Sequence, residues 1–543
     1  MTRSIHKQER VTTCIQPIYR QLIAQLLLAG VVAATLVACG DDDETAPTAP
    51  APRIEHMACA FTLPPDQNPD DVTCGNLIVA ENRKHPTGRT VSIAFAVFKP
   101  SGPGPVGDPL IMLPGGPGEI ELDFVQYDVP DWFGWAHPTR TLVFFDQRGT
   151  GYSRPSLDCP EWRTAAQAAW AKQQTVEEEN ATMREAMRAC HDRLAGAGID
   201  LSGYTSAEGA RDVHDLMTAL GYQTWNAYGL SYGTRLGLTL MRDEPQGIRS
   251  VVLDSTSPLQ ANWLADIPAN AQRSLDLLFA SCAGDSSCAA LYPDLEPTLF
   301  DLVAQLNSEP ITLEGTDPAT GEGLTVVLTG DRLLSSVQGW LYNRDLLGLI
   351  PLVITNAAHG SYEMLSELVV TPQPTDLTYG VLFSTLCGEE APFITPAILD
   401  AATAGVREEI KRALLTGGTM FYLDVCTFWG SPAPPAIENQ PVVSDIPTLV
   451  LAGEYDPITP PSYGRLAAET LSHSYFFELP AYAHGTLGAG CPDDVRTAFL
   501  NAPTNPPDGS CVDSMPPLTF EGAQGTSAAQ VRSRAWRGSR LIH

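Results

Sequence analysis

The sequence predicts an α/β protein with a mostly parallel central sheet flanked by helices, and with an inserted cap that is mostly helical. Two observations carry this prediction. Short, continuous apolar runs at 109–113, 141–145, 250–253 and 448–452 have the length and composition of strands that are buried on both faces. Between the last two runs, helical stretches prevail over 258–441 with little strand alternation, which is typical of an insertion into such a core.

Composition and patterning divide the chain into six segments. The stretch after Cys39 is rich in Asp, Thr, Ala and Pro, and the last residues are basic and low in apolar content, so neither is expected to pack. The predicted segments are a lipoprotein-type signal peptide at 1–38, a disordered tether at 39–55, the first part of the core at 56–257, the cap at 258–441, the second part of the core at 442–515, and a disordered tail at 516–543.

The N-terminal segment has the features of an export signal. Four basic residues between Arg3 and Arg20 precede an apolar run over 26–37, which is too short and too one-sided in charge for a membrane span. The run ends in Leu-Val-Ala-Cys, which resembles the bacterial lipoprotein signal in which cleavage exposes the cysteine, here Cys39, for lipid attachment. Ordinary secretion with cleavage nearby is the alternative. Either interpretation predicts an exported protein, lipid-anchored on the periplasmic or extracellular face of a bacterial membrane or secreted.

The net charge limits the partners. A formal charge of −30 at pH 7 and a pI near 4.6 argue against nucleic acid and against an anionic membrane surface, because both would repel the chain. Contact with a membrane is therefore expected only through the N-terminal lipid.

The cysteines agree with export. Of the twelve, Cys14 lies in the signal and Cys39 at the lipid site, which leaves an even set of ten for an oxidising compartment. Several pairings are open, and the simplest joins near neighbours: Cys59 with Cys74, Cys159 with Cys190, Cys282 with Cys288, Cys387 with Cys426, and Cys491 with Cys511. A metal site is the alternative, but no CxxC or HExxH spacing favours it, so neither a metal nor another cofactor is predicted.

The stretch 226–234 carries the strongest catalytic signal. An apolar strand leads into Ser231, which has Gly229 and Gly233 two residues away on either side, and a helical pattern follows at once. This is the context of a GxSxG nucleophile elbow, in which a strained turn exposes the serine hydroxyl and bulky neighbours would collide. Because five-residue patterns also arise by chance, the flanking strand and helix are what make Ser231 the predicted nucleophile.

A serine hydroxyl needs a base, and the base needs an acid to orient it. Asp456 and His484 each follow a buried strand, and the chain order Ser, Asp, His is that of the α/β-hydrolases. Asp254, at the end of the strand after the elbow, is the competing acid. Asp456 is favoured because its turn projects it from a strand end, whereas Asp254 lies in the turn that enters the cap.

The oxyanion hole is predicted from backbone groups. Its donors would be the N–H of Tyr232, the residue after the nucleophile, and an N–H of Gly115 or Gly116, where bare backbone can approach a bound oxygen. A simple turn is the alternative interpretation of that glycine-rich loop.

Five motifs in this order resemble the secreted proline iminopeptidase and tripeptidyl aminopeptidase family of α/β-hydrolases. They are LPGGPG at 113–118, DQRGTG at 146–151, GLSYG at 229–233, GEYDPITP at 453–460 and AYAHG at 481–485. The resemblance implies a serine exopeptidase that acts on free peptide N-termini. Pro114 stands where iminopeptidases usually have His, which weakens an assignment to strict prolyl cleavage.

The resemblance also implies a carboxylate that binds the substrate's α-amine. Cys387, Gly388, Glu389 and Glu390 resemble the cap segment that supplies it in the family, so Glu389 and its neighbour Glu390 are the predicted amine-binding residues. A solvated acidic pair is the alternative, and Glu119 and Glu121 are weaker candidates.

The predicted function is therefore an exported serine aminopeptidase of prolyl or tripeptidyl type, which acts on short peptides through an acyl-enzyme on Ser231. A carboxylesterase or lipase-like hydrolase with the same triad is the alternative. A catalytically inactive binding protein is disfavoured, because every triad and oxyanion position holds a competent residue.

Overall fold

The computed structural model describes residues 50–539 except 66, 86–87, 105–106, 127–128, 130–131, 318–320, 372–376 and 523–525. The predicted signal segment, the lipid site Cys39 and most of the tether lie outside the described residues. Within the described part of the chain, no helix has the length and apolarity needed to cross a membrane.

A nine-stranded sheet forms the centre of the core. Its strands are β1 (Arg53–Met57), β2 (Val72–Ala80), β3 (Thr90–Phe98), β4 (Gly107–Leu113), β5 (Arg140–Phe145), β6 (Trp225–Leu230), β7 (Ile248–Asp254), β10 (Thr448–Gly453) and β11 (Ser474–Leu479). Their order in the sheet is β1-β2-β3-β5-β4-β6-β7-β10-β11. The six strands from β5 to β11 in this order are mutually parallel, and β1, β2 and β3 extend one edge in antiparallel pairing. The predicted α/β class with a mostly parallel sheet is confirmed.

The continuous apolar runs follow from burial on both faces of this sheet. In β4, Ile111 and Leu113 pack on one face with Leu236 of the helix after the elbow, while Leu110 and Met112 pack on the other with Phe499. Successive side chains of a strand point to opposite faces, so a strand covered on both sides needs apolar residues at every position. The helices of the core are Pro160–Trp170, Val176–Gly196, Ser206–Ala219, Tyr232–Asp243, Pro461–Ala468 and Cys491–Asn501.

The segment between β7 and β10 is mostly helical and has its own buried cluster. Its helices are Trp263–Gly284, Ser286–Leu291, Leu295–Ser308, Gly330–Leu341, Arg344–Leu347, Ile350–Ala358, Glu363–Val369, Tyr379–Glu389, Pro396–Ala402, Glu408–Ile410 and Met420–Trp429, with a π-helix at Lys411–Thr419. A two-stranded antiparallel hairpin, β8 (Ile311–Thr316) with β9 (Gly323–Leu328), interrupts the helices and was not predicted.

Both ends of the predicted core need correction. The tether was expected to run to residue 55, but Arg53 already begins β1, which pairs with β2 along the edge of the sheet. The tail from 516 was expected to be disordered, but Ala528–Ser539 is a helix whose Val531 is fully buried in the cap cluster, against which Phe520 also packs. Val531 and Phe520 thus pack against cap residues that lie far away in the sequence, which the composition of the tail does not reveal.

The ten described cysteines form five disulfides, and the near-neighbour scheme is confirmed in full: Cys59–Cys74, Cys159–Cys190, Cys282–Cys288, Cys387–Cys426 and Cys491–Cys511. One group of possible metal-ligand atoms occurs in the described part of the chain, at Cys159, Glu161 and Cys190, and its two sulfurs are joined to each other.

Candidate active site

Ser231 lies at the sharp turn between β6 and the helix Tyr232–Asp243. Its φ of 56° is in the left-handed region, which costs energy for a residue with a side chain. A side chain at Gly233 would collide with the Leu113 carbonyl of β4, and one at Gly229 would collide with the backbone of Gly233. The two glycines therefore permit the close approach of strand and helix that leaves Ser231 at the end of the sheet, as the GxSxG pattern predicts.

The structure brings Asp456 and His484 together. His484 Nδ1 lies 2.8 Å from Asp456 Oδ2, and both side chains are buried. Asp456 also accepts hydrogen bonds from the backbone N–H of Ile458 at 3.0 Å and of Thr459 at 2.8 Å. Burial alone would raise the pKa of Asp456, but the His484 ring and these N–H groups outweigh it, so the pKa of this carboxyl lies below its usual value. Asp456 is thus held as a carboxylate that can orient the imidazole.

Ser231 and His484 line the same cavity of about 360 Å³. Its wall is largely apolar and aromatic, with Trp263, Leu382 and Tyr422 among its residues. Part of the wall is the π-helix Lys411–Thr419, whose wide turn exposes Gly417 and Gly418 to the cavity. A second cavity of about 1030 Å³ shares four lining residues with the first: Ser335, Ala413, Gly417 and Tyr422.

The glycine-rich loop after β4 faces the elbow. Gly116 lines the active cavity together with Tyr232. The Gln147 side chain donates to the Gly115 carbonyl at 3.2 Å, and the Gly118 carbonyl accepts from the N–H of Thr378 in the cap at 2.8 Å. The loop is therefore fixed from both the core and the cap, which is the preorganisation that an oxyanion hole requires.

Glu389 and Glu390 are not among the residues that line this cavity, so its geometry does not support their predicted amine-binding role. Glu389 accepts from the backbone N–H and the hydroxyl of Ser206, at 2.5 and 2.6 Å, and pairs with Arg235 at 3.3 Å. Glu390 lies 2.6 Å from another nitrogen of Arg235. The helix that ends at Glu389 is buried along its whole length, and both carboxylates at its end contact Arg235 of the core helix Tyr232–Asp243. The two carboxylates tie the cap to the core.

Among the described residues that line the cavity, Glu119 is the acidic one. Its carboxylate packs against Gly115, and its backbone forms a bridge to Leu377 of the cap. Glu121, the other weaker candidate, is not part of the lining.

Asp254, the competing acid, has no contact with the His484 ring comparable to that of Asp456. Its carboxylate accepts instead from the Thr486 N–H at 3.0 Å and from the Thr486 hydroxyl at 2.8 Å. Asp254 therefore contacts the turn that carries His484 through Thr486.

Sequence reasoning missed Thr459, whose hydroxyl lies 2.8 Å from Asp456 Oδ2 and 3.1 Å from His484 Nδ1. Its position three residues after Asp456, in the same turn, was the available signal. It also missed Tyr342, whose ring packs edge-on against His484 with centroids 5.0 Å apart. No signal in the sequence links that cap residue to the site.

Comparison with known families agrees with this geometry. A family model described as the alpha/beta hydrolase fold matches residues 108–289, which include the glycine-rich loop, the elbow and Ser231. The chain has the α/β-hydrolase fold. A second model, described as TAP-like protein, matches residues 414–511 of this hydrolase, which include Asp456 and His484.

Two kinds of curated relative align with this α/β-hydrolase. Serine protease Hip1 of Mycobacterium tuberculosis is 25% identical over 540 residues, covering 90% of this chain and 98% of the relative. A tripeptidyl aminopeptidase of Streptomyces coelicolor is 29% identical over 194 residues, covering 34% of this chain and 35% of the relative. Among solved structures, a proline iminopeptidase of Mycobacterium smegmatis is 16% identical with a TM-score of 0.31, covering 82% of this chain and 96% of that one, and at this score the likeness supports no conclusion.

The charge balance around Arg235 predicts a pH effect on stability. Burial, together with the neighbouring Glu389, raises the pKa of Glu390 to about 7, although Arg235 opposes the shift. The pKa of Glu390 is thus higher in the folded protein than the value near 4.5 expected in the unfolded chain. Protonation of Glu390 therefore stabilises the folded protein, and this stability, fully present below pH 4.5, is lost as the pH rises through about 7. Glu390→Gln, which mimics the protonated acid, should therefore gain stability relative to wild type between pH 5 and 8, by at most about 3 kcal/mol.

The measurement is the free energy of unfolding in urea at several pH values from 5 to 8. Glu408→Gln is the matched control, because Glu408 is an exposed partner of Lys411 and its loss should leave the pH profile unchanged. A constant difference between Glu390→Gln and wild type across this range would contradict the assignment.

Proposed function

We propose that this α/β-hydrolase is an exported serine aminopeptidase that releases residues from the free N-termini of peptides through an acyl-enzyme on Ser231. The observation that carries the proposal is a single cavity lined by Ser231, His484 and Glu119, with His484 bound to the buried Asp456. The peptidase names of the two kinds of relative support peptides as the substrate class.

In the proposed reaction, His484 takes the proton of the Ser231 hydroxyl as its oxygen attacks the carbonyl carbon of the scissile amide. The negative charge that develops on the carbonyl oxygen is stabilised by the N–H of Tyr232 and an N–H of Gly115 or Gly116, each worth about 10²-fold to 10³-fold in rate. His484⁺, stabilised by Asp456, then gives its proton to the leaving amine. Water, activated by His484, hydrolyses the acyl-enzyme and frees Ser231.

Recognition of the α-amine is assigned to Glu119. Its carboxylate packs against Gly115, so an ammonium group bound there would lie close to the oxyanion loop and therefore close to the scissile carbonyl. In a largely apolar cavity, a carboxylate pairs with an ammonium group more strongly than in water. The larger cavity that shares Ser335, Ala413, Gly417 and Tyr422 supplies room for the rest of a peptide.

An esterase with the same triad differs in one testable respect. It would need the apolar wall around Trp263, Leu382 and Tyr422 but no amine-binding acid. Amide substrates whose cleavage is blocked by N-acetylation support the aminopeptidase, whereas acetylated and free substrates cleaved equally would favour the esterase or an endopeptidase.

Ser231→Ala should abolish turnover of every substrate, by about 10⁶-fold for a working triad, because the attacking oxygen is removed. The measurement is the initial rate on a panel of aminoacyl-, dipeptidyl- and tripeptidyl-amides and on short esters. Ser250→Ala is the control, since Ser250 lies buried near the opposite end of β7 and its hydroxyl donates to Asn226. Retained activity in Ser231→Ala would exclude Ser231 as the nucleophile.

Glu119→Gln should slow cleavage of amides with a free α-amine by about 10-fold to 100-fold, because the ammonium group loses its counter-charge in a buried site. Short esters without an amine should be cleaved at a rate within about 3-fold of wild type. Glu121→Gln is the matched control on the same loop, outside the cavity lining. Equal losses on amides and esters would refute the amine-binding role and indicate damage to the oxyanion loop.

Export and lipid attachment at Cys39 form part of the proposal and rest on the N-terminal pattern alone. Cys39→Ser should release the protein from membranes into the soluble fraction, because the thiol that would carry the lipid is gone. The measurement is fractionation of expressing bacteria followed by detection of the protein in each fraction. If Cys39→Ser stays with the membrane, the lipid-anchor assignment is wrong.

A further inference from the structure

The turn that carries His484 is held by three successive backbone N–H groups. That of His484 donates to the carbonyl of Tyr342 at 3.2 Å, that of Gly485 to the hydroxyl of Ser255 at 2.8 Å, and that of Thr486 to the Asp254 carboxylate at 3.0 Å. Two of the three acceptors are thus side chains of neighbouring residues at the end of β7. The turn has no regular secondary structure of its own, so these bonds, together with the contacts of Asp456 and Thr459 with the ring, determine where the imidazole lies.

The same strand end also holds the nucleophile. The N–H of Ser231 donates to the carbonyl of Asp254 at 3.0 Å. Asp254 therefore bonds the elbow through its backbone and the histidine turn through its side chain. Ser255, next to it, has a φ of 56°, a conformation that is costly for serine. In this conformation its hydroxyl accepts a hydrogen bond from the Gly485 N–H.

The Asp254 carboxylate is fully buried and surrounded by donors. Tyr228 donates its hydroxyl to Oδ2, Thr486 donates both its N–H and its hydroxyl, and the Arg496 guanidinium lies 3.6 Å away. Arg496 in turn donates to the carbonyl and to the hydroxyl of Thr486. A carboxylate accepts at both oxygens, so the Tyr228 and Thr486 donors are matched, whereas an amide at this position would turn one acceptor into a donor facing other donors.

We propose that Asp254, with Ser255, is a positioning residue for the reaction: it sets the distance between Ser231 and His484 by bonding the elbow and the histidine turn at once. This inference rests on the proposed function. Proton transfer from the serine hydroxyl to the imidazole requires close hydrogen-bond geometry, and a displacement of about 1 Å can cost about 10²-fold in rate. Asp254 touches neither the substrate space nor the imidazole ring, so its loss should act on the chemical step rather than on binding.

The test uses a fluorophosphonate, which reacts with an activated serine whatever the natural substrate is. Asp254→Asn should lower the second-order rate constant for labelling of Ser231 by about 10-fold to 100-fold. On a cleaved amide, kcat should fall by a similar factor while KM stays within about 2-fold. Ser250→Ala, four residues earlier on the same strand, is the matched control and should react at the wild-type rate.

A second pair of variants decides the question if Asp254→Asn does not fold. Thr486→Val removes the hydroxyl that donates to Asp254 but keeps the backbone N–H, and Thr486→Ser keeps both donors. Thr486→Ser should be labelled at least about 5-fold faster than Thr486→Val at equal melting temperature. Equal labelling of the two Thr486 variants would overturn the inference, as would wild-type labelling of a folded Asp254→Asn.

Failure of the proposed function gives a different result. If wild type is not labelled by the fluorophosphonate, or if Ser231→Ala is labelled equally, then Ser231 is not an activated nucleophile and the inference falls with it. If wild type is labelled at Ser231 and the Asp254 and Thr486 variants are labelled at the same rate, the serine hydrolase assignment stands. That result excludes only the positioning role of Asp254.

Discussion

The close approach of β4, β6 and the helix Tyr232–Asp243 is the constraint on which the site depends. It is possible because positions 229 and 233 lack side chains, and it leaves Ser231 in a left-handed conformation at the end of a fully buried strand. A single strained residue is tolerated when the surrounding structure fixes it on all sides. Here the sheet, through the Asp254 carbonyl, and the first turn of the helix, through Thr234, both bond Ser231.

The cap contributes to the geometry of the site as well as to its wall. The glycine-rich loop after β4 is bonded at Gly118 by Thr378, and the histidine turn is bonded at His484 by the carbonyl of Tyr342. Arg235, from the helix after the elbow, is buried against Glu389 and Glu390 at the end of a cap helix. A movement of the cap would therefore displace both the glycine-rich loop and the turn that carries His484. In the proposed reaction, the exclusion of water by the cap and the catalytic geometry are thus coupled.

The parts of the fold that the sequence predicted correctly share a physical property. Strands buried on both faces need an apolar residue at every position, so β4, β5 and β10 stand out as short apolar runs. The disulfides join cysteines close in sequence, and proximity along the chain favours such pairs. The edge strand β1 and the helix around Val531 were missed because their stability comes from pairing with distant segments, and their own composition carries no such signal.

By itself, the sequence determined the α/β class of this hydrolase and the candidate residues Ser231, Asp456 and His484, because strand ends, glycine-flanked turns and residue chemistry are local properties of the chain. It left the pairing of the cysteines open, and the structure selects the near-neighbour scheme. Only the tertiary structure decided which carboxylates face the cavity. Glu389 and Glu390 form an acidic pair in sequence, yet folding buries them against Arg235, while Glu119 reaches the cavity. The reason is physical: the direction of a side chain at a helix end is set by the surfaces that pack around it, and those surfaces come from segments that lie far away in the chain.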